Sequence, residues 1–317
     1  MSFIAIGDLH FKHSNILECE IIYKKIIENV QKINPTFVVL LGDLLDTHNV
    51  VYIQPYKMIC KLIEELSEIC EVYVLIGNHD LINHTQFLTD NHPFNPLKKW
   101  KNVFIVDVPI ILKKEGKSFF MCPYVPDGKF FEALNNIEWK KCDYGFGHQL
   151  INGCNMGGII ANSGDDWKEE YPIIFMGHIH EPQYVDGVYY IGDITKGKVL
   201  YFDIIKDTFK KIDIGIKKKK IINTNTSITL EDLKEYMKYS LKIVVSGKNA
   251  ELKNFKKSKE FYAIRREGIN IVFKLIEEFD ENTNFKKYSG VDYSSILKEM
   301  IHRTNDTELI KEYENIF

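Results

Sequence analysis

The sequence predicts an α/β fold in which two packed β-sheets are flanked by helices, followed by a small αβ cap and C-terminal helices. Three observations carry this. Short apolar, β-rich runs alternate with amphipathic helical stretches over the first hundred residues, an order that calls for a parallel sheet with right-handed crossovers. Between about residues 100 and 205 the strand-like runs come closer together, as expected for a second sheet packed on the first. Past Asp203 the apolar pattern weakens and the charge balance changes sign.

In chain order, Phe3–Ile6 is a short apolar strand running into Gly7 and Asp8. Residues 15–33 place Ile and Leu at near-helical spacing opposite a Lys/Glu face. Thr36–Leu41 is a continuous apolar run, typical of a strand buried on both faces. Residues 53–69 read as a second amphipathic helix and Glu71–Ile76 as the next strand. Further strands are expected at Val103–Val106, Ile110–Leu112, Ser118–Cys122, Gly145–Gly147, Ile173–Met176, Val188–Ile191 and Val199–Asp203. Residues 207–228 hold the run Lys217–Lys220 and an Asn/Thr-rich stretch, and read as a linker or exposed connection. A helix at 229–239, a strand at Leu241–Val245, a helix at 249–258 and strands at 261–266 and 269–275 follow. Helices at 292–302 and 306–316 finish the chain.

Hydrophobic residues make up 45% and charged residues 27%, the balance of a globular protein, so a disordered or fibrous chain is excluded. No run approaches the roughly 18 apolar residues of a membrane span, and the first residues lack a signal-peptide core. The expected location is therefore intracellular, in the cytoplasm or nucleoid of a cell or virus-infected host. The cysteines are scattered, with no CxxC spacing, and are expected as buried free thiols. Residues 1–205 hold 18 Lys and Arg against 26 Asp and Glu, whereas residues 206–287 hold 20 against 12. This asymmetry suggests three units: 1–205, 206–287 and 288–317. The acidic first unit suits cations and the basic second suits a polyanion.

Five short segments carry the chemistry: Gly7-Asp8-Leu9-His10, Gly42-Asp43-Leu44-Leu45-Asp46, Gly77-Asn78-His79-Asp80, Gly147-His148 and Gly177-His178-Ile179-His180. Each follows an apolar strand, and the carboxyl ends of parallel strands share one edge. Each glycine lets the chain turn sharply beside the next side chain. Asp, Asn and His are oxygen and imidazole ligands suited to Mn²⁺, Fe or Zn²⁺. The i, i+2 pairs Asp8/His10 and His178/His180 share a face on an extended segment, where each could grip one ion. Asp43 could bridge two ions. Two such ions clamp a phosphate and lower the pKa of a shared water, giving hydroxide attack on phosphorus. His79 is the candidate acid for the leaving oxygen, with Asp80 expected to orient its ring. Asp46 is expected to orient other groups rather than to ligate, and His13 and His48 to touch substrate.

This set of segments resembles the five-motif signature of the calcineurin-like metallophosphoesterases, over about residues 4–205. The resemblance implies the metallophosphoesterase double sandwich. It implies one metal on Asp8, His10, Asp43 and His180, and a second on Asp43, Asn78, His148 and His178, with His79 as catalytic acid. Within that superfamily the chain looks most like the nuclease subunits of SbcCD-type double-strand-break repair complexes, in particular the phage recombination endonuclease subunit. The Asp of Gly77-Asn78-His79-Asp80, the absence of Arg-Gly after Asp46, and the roughly 110 following residues carry that likeness. Cellular members usually have His at the position of Asp46.

The first functional expectation is thus a Mn²⁺-dependent DNA exo- or endonuclease acting in recombination and double-strand-break repair. Lys217, Lys218, Lys219, Lys220, Lys256, Lys257, Arg265 and Arg266 are its candidate DNA contacts. An SMC-like ABC-type ATPase would dock on the C-terminal helices through Ile296, Met300, Ile301, Leu309 and Ile310. A homodimer would form through residues 15–33 and 52–69. The competing expectations are a phosphoesterase for small nucleotides, cyclic nucleotides or phosphoproteins, and a non-catalytic scaffold on the same fold.

Overall fold

The computed structural model of the chain describes residues 1–276 and Ile301. The expected terminal helices, with Ile296, Met300, Leu309 and Ile310, lie outside the described residues. The chain divides into two compact units: Met1–Lys220 with Glu235–Leu241, and Ile221–Lys234 with the residues from Lys242 onward.

The first unit opens with β1 (Ser2–Ile6), α1 (Ile16–Ile33), β2 (Phe37–Leu40), α2 (Ile53–Ile69), β3 (Glu71–Leu75) and β4 (Val103–Val106). Next come β5 (Ile110–Lys114), β6 (Lys117–Met121), α3 (Phe130–Leu134), β7 (Tyr144–Gly147), β8 (Ile173–Met176), β9 (Gln183–Val185) and β10 (Val188–Tyr190). The last two strands are β11 (Lys198–Asp203) and β12 (Thr208–Asp213). One sheet has the order β12-β11-β1-β2-β3-β4 and the other β5-β6-β7-β8-β10-β9. The strands β1 to β4 run parallel, as do β6, β7, β8 and β10, and antiparallel strands complete the edges.

Strand alternation builds the layers. On β1, Phe3 and Ala5 enter the core between the sheets, while Ile4 and Ile6 join the core containing Ile22, Ile26, Ile59 and Leu62 of α1 and α2. Phe3 sits 5.6 Å from Phe119 and 5.2 Å from Phe146, both edge-on, so rings from opposite sheets interlock. The outer face of the second sheet packs Phe120, Ile174 and Met176 with Phe130, Trp139 and Trp167. The result is a two-sheet sandwich covered by helices on both sides, as the sequence predicts. All six cysteines are free; four of them are buried.

The expected connection at 207–228 instead holds β12 and β13 (Lys219–Asn225). β12 pairs with β11 from Lys198↔Asp213 to Asp203↔Thr208. Its lysines hide the pattern: Phe209 packs toward the core, while Lys210 and Lys211 lie over the rings of Tyr201 and Tyr189.

Beyond β13 come α4 (Leu230–Leu233), β14 (Ser240–Gly247), α5 (Asn249–Phe255), α6 (Lys259–Arg266) and β15 (Asn270–Leu275). These strands form a third sheet, β13-β14-β15, with β14 and β15 parallel. Leu241, Ile243 and Val245 of β14 are buried, as are Leu252 and Phe255 of α5 and Ile264 of α6. The strand expected at 261–266 is helix α6. Ser258 caps it by accepting from the Phe261 N–H, and Arg265 and Arg266 complement its C-terminal end. Among the described residues no helix is long and apolar enough to cross a membrane.

Candidate metal centre

The loops after β1, β2, β3, β7 and β8 meet at one edge of the sandwich, which brings all five motif segments together. The first two loops are stitched by backbone bonds: the Leu9 and His10 N–H groups donate to the Asp43 carbonyl, at 3.1 and 2.9 Å. Asp8 Oδ1 accepts from the His178 N–H at 3.1 Å, which ties in the loop after β8. Close approach explains two of the glycines. A Cβ on Gly77 would lie 2.2 Å from the Asp43 backbone N, and one on Gly42 2.7 Å from His148 Nδ1. Gly42 also has φ +95°, where a side chain is strained. Three non-glycine site residues share that region: His10, Asp43 and His178, at φ 44°, 49° and 76°. Backbone strain of this kind persists only where the surrounding structure enforces it.

Two ligand clusters result, Asp8/His10/His180 and Asp43/His148/His178, each with its donor atoms within 4.8 Å of one another. His10 Nε2 lies 3.0 Å from His180 Nε2. Asn78 Oδ1 lies 2.8 Å from His178 Nδ1 and 3.0 Å from His148 Nε2, and so belongs with the second cluster. Asp43 Oδ2 stands between the two, 3.3 Å from His148 Nε2 and 3.7 Å from His10 Nε2. The i, i+2 expectation therefore holds for Asp8/His10 and not for His178/His180. The left-handed backbone at His178 sends its two histidines to different clusters.

His148 is fully buried, and its Nδ1 donates to the Leu41 carbonyl at 2.6 Å, which leaves Nε2 facing Asn78 and Asp43. Burial opposes its charge, but Asp43 and Asp8 pull the imidazole up to about 9. Burial pushes the Asp8 carboxyl up to about 6. Burial likewise opposes ionisation of Asp43, yet the facing His148 and His10 hold it well below the carboxylate range. Burial lowers His10 to about 4 and His178 to about 3; an imidazole binds a metal only when neutral, so an ion on His148 Nε2 would displace its extra proton. Asp8 Oδ2 and His10 Nδ1 are buried without a hydrogen-bond partner. Asp8 Oδ2 stands 3.8 Å from His180 Nε2, and an unpaired buried carboxylate oxygen beside an imidazole nitrogen is what a bound cation satisfies. With oxygen and imidazole donors and no thiolate, the set fits two divalent ions.

Residues 1–208, which span nearly all of the two-sheet sandwich, match one family: that of the calcineurin-like phosphoesterases. The chain belongs to this family. It is similar to a chain of Invertebrate iridescent virus 3 named as a phosphoesterase (078R), at 31% identity over 98% of this chain and 94% of that one. A second similar chain, named as a phosphoesterase (244L), comes from Invertebrate iridescent virus 6, at 35% identity over 81% of this chain and 97% of that one. Among solved structures, TT1561 of Thermus thermophilus aligns with a TM-score of 0.46 at 11% identity, over 67% of this chain and 98% of that one. This calcineurin-like phosphoesterase is thus a metal-dependent phosphoester hydrolase by family, with its candidate ligands gathered at one edge.

His79 brings a ring nitrogen to within 4.8 Å of His10 and Asp43. The expectation for Asp80 is corrected. Its Oδ1 accepts from the Leu44 and Leu45 N–H groups and its Oδ2 from the Gly77 N–H, so it braces two loops. The ring of His79 is oriented by the Asp46 carbonyl, to which Nδ1 donates at 2.9 Å. The Asp46 side chain accepts from Lys12 at 3.0 Å and lies 3.7 Å from His10 Nδ1. His13 stacks on Tyr52 at 5.6 Å, and His48 stacks on His79 at 4.4 Å.

Two cavities share His79. One, of about 260 Å³, is lined by Asp8, His10, Asp46 and His180 together with Lys12 and Lys219. The other, of about 300 Å³, is lined by Thr47, Asn49, Ile82 and Asn91. Lys12 has no sequence signal beyond its place two residues after His10.

Of the candidate DNA contacts, Lys217 donates to the Met237 carbonyl at 2.7 Å and Lys219 pairs with Glu18 at 2.9 Å. Lys220 lies over the Tyr236 ring at 4.0 Å and Lys256 over Phe273 at 4.4 Å. Lys257, Arg265 and Arg266 belong to the second unit, and Lys218 to the end of the first.

Proposed function

We propose that this phosphoesterase cleaves phosphodiester bonds in DNA, as a nuclease subunit of the SbcD type. The observation that carries the hydrolase reading is the place of His79. Its Nδ1 is committed to the Asp46 carbonyl, which leaves Nε2 as the ring atom for chemistry beside Asp43, where the two clusters meet. Asp8, His10, Asp43 and His180 would hold one divalent ion, and Asp43, Asn78, His148 and His178 the other. When bound, such ions supply Lewis-acid polarisation of the phosphate and a water of lowered pKa. Lys12, paired with Asp46, lines the same cavity and could exchange that partner for an entering phosphate. His79 Nε2 then passes its proton to the leaving oxygen.

The choice of DNA rests on charge. Residues 206–287 carry an excess of eight positive charges, 20 Lys and Arg against 12 Asp and Glu, and phosphate contacts dominate DNA affinity. In this reading Lys218, Lys257, Arg265 and Arg266 are the phosphate contacts, Mn²⁺ is the working ion, and an SMC-like ATPase docks on residues 288–317. Leu17 and Ile21 of α1 and Ile53 of α2 are exposed and supply apolar positions for a homodimer.

A second reading, hydrolysis of small phosphoesters, is favoured by the intramolecular partners of Lys217, Lys219, Lys220 and Lys256. Incubation of the Mn²⁺-loaded protein with double-stranded and single-stranded DNA and with bis-p-nitrophenyl phosphate separates the two. Cleavage of DNA and of the small diester, lost in Asp43→Ala and His79→Ala, is the expected result. Cleavage of the small diester alone, with and without an ATPase partner, would remove the nuclease reading and keep the hydrolase.

A further inference from the structure

We propose that His48 is a positioning residue that holds the ring plane of His79 against the leaving group. The inference rests on the reading of His79 as the general acid and names the element that aims it.

A general acid works only if its ring nitrogen points at the leaving oxygen within hydrogen-bond reach. The Asp46 carbonyl fixes one ring atom of His79, Nδ1, at 2.9 Å. One hydrogen bond still lets the ring rock about the N–H···O line. Two other rings remove that freedom. His10 meets His79 edge-on, at 4.9 Å and 88°, and His48 lies flat against its face, at 4.4 Å and 22°. The face contact sets the ring plane.

His48 is itself held by its backbone rather than by its ring. The turn that carries it is closed by the Val50 N–H donating to the His48 carbonyl at 2.6 Å, and by Thr47 Oγ1 donating to the Val50 carbonyl at 2.7 Å. Asn49 adopts φ 57°, a left-handed turn conformation suited to Asn. The ring Nδ1 of His48 is buried and has no hydrogen-bond partner, so no polar contact at that atom explains a histidine here. Among the described residues His48 joins no ligand cluster. What it offers is a flat surface on a hydrogen-bonded turn, placed against the ring whose orientation decides proton transfer. A phenyl ring would supply the same surface.

The test uses the full Mn²⁺-loaded chain and a series of aryl phosphodiesters with leaving groups from p-nitrophenolate to phenolate. A good leaving group needs little help from an acid, and a poor one needs much. His79→Ala is expected to steepen the dependence of kcat on leaving-group pKa. His48→Ala is expected to do the same to a smaller degree. It should lose about tenfold on the phenyl diester and less than about threefold on the p-nitrophenyl diester, against the roughly 10²–10⁴-fold that general acids contribute. His48→Phe should restore the wild-type slope. Equal losses across the series in His48→Ala, or His48→Phe as impaired as His48→Ala, would overturn the positioning role while leaving His79 as the acid. An unchanged slope in His79→Ala would remove the acid assignment, and the role of His48 with it.

Discussion

The His79 backbone N–H donates to Asp43 Oδ1 at 2.8 Å, so the carboxylate that stands between the two ligand clusters also anchors the loop carrying the proposed acid. Asp43→Asn keeps an acceptor for that N–H and removes the charge between the clusters. The expected result is a folded protein with kcat/KM reduced roughly 10³-fold, because Lewis-acid stabilisation is worth several kcal/mol. Steady-state kinetics beside a thermal melt checks this. An active Asp43→Asn would show that the bridging charge is dispensable.

Asp80 braces the loops after β2 and β3 by accepting from three backbone N–H groups, those of Leu44, Leu45 and Gly77. Asp80→Ala leaves these donors without their acceptor. The expected cost is about 3 kcal/mol or more, at 1–3 kcal/mol for each buried donor left unpaired. Denaturant unfolding measures it directly. If Asp80 served mainly to orient His79, activity would fall while stability stayed near wild type.

Removal of divalent metal is expected to lower Tm as well as to abolish activity. Asp8 Oδ2 is buried beside the histidines of its cluster without a hydrogen-bond partner, and an ion that binds only the folded chain adds its binding free energy to stability. Thermal melts with chelator, and after addition of Mn²⁺, Zn²⁺ or Co²⁺, test this. An unchanged Tm would mean that Asp8 Oδ2 does not face a bound cation.

Asp165 gives a pH dependence away from the metal centre. Burial holds its carboxyl above the ordinary value, although the Gly128 and Phe130 N–H groups donate to it. The folded chain therefore binds more protons here than the unfolded chain, whose carboxyl titrates near about 3.9. Its contribution to stability is full below about pH 4 and is lost as pH rises through the raised folded value. Asp165→Asn, which cannot ionise, should flatten the decline of stability with rising pH. It should also lower stability by about 1–3 kcal/mol, because one acceptor is lost. Urea unfolding at several pH values, compared with wild type, would show the same slope in both if this account is wrong.

Much of the fold and of the ligand set is legible in the sequence because each ligand segment follows a strand ending in glycine. Asp8, Asp43, Asn78, His148 and His178 converge for that reason. The division of His178 from His180 is implied by the family resemblance but not by the i, i+2 spacing, which does not reveal the left-handed backbone at His178. Adjacency in sequence suggests that Asp80 serves His79. The tight turn, with the Asp80 N–H donating to the Gly77 carbonyl at 3.3 Å, instead folds the carboxylate back into its own loop. The strand β12 was hidden by its lysines, and α6 by Phe261, Tyr262 and Ile264, which read as strand formers until the Ser258 cap is seen.

Two clusters that share Asp43 would hold two ions. Metal content per chain, measured by mass spectrometry after loading with Mn²⁺ and removal of the excess, tests it most directly. The expected result is about two ions per wild-type chain, and about one in a His178→Ala variant that retains its fold. One ion or none in the wild-type chain, or an unchanged content in His178→Ala, would contradict the two-cluster account.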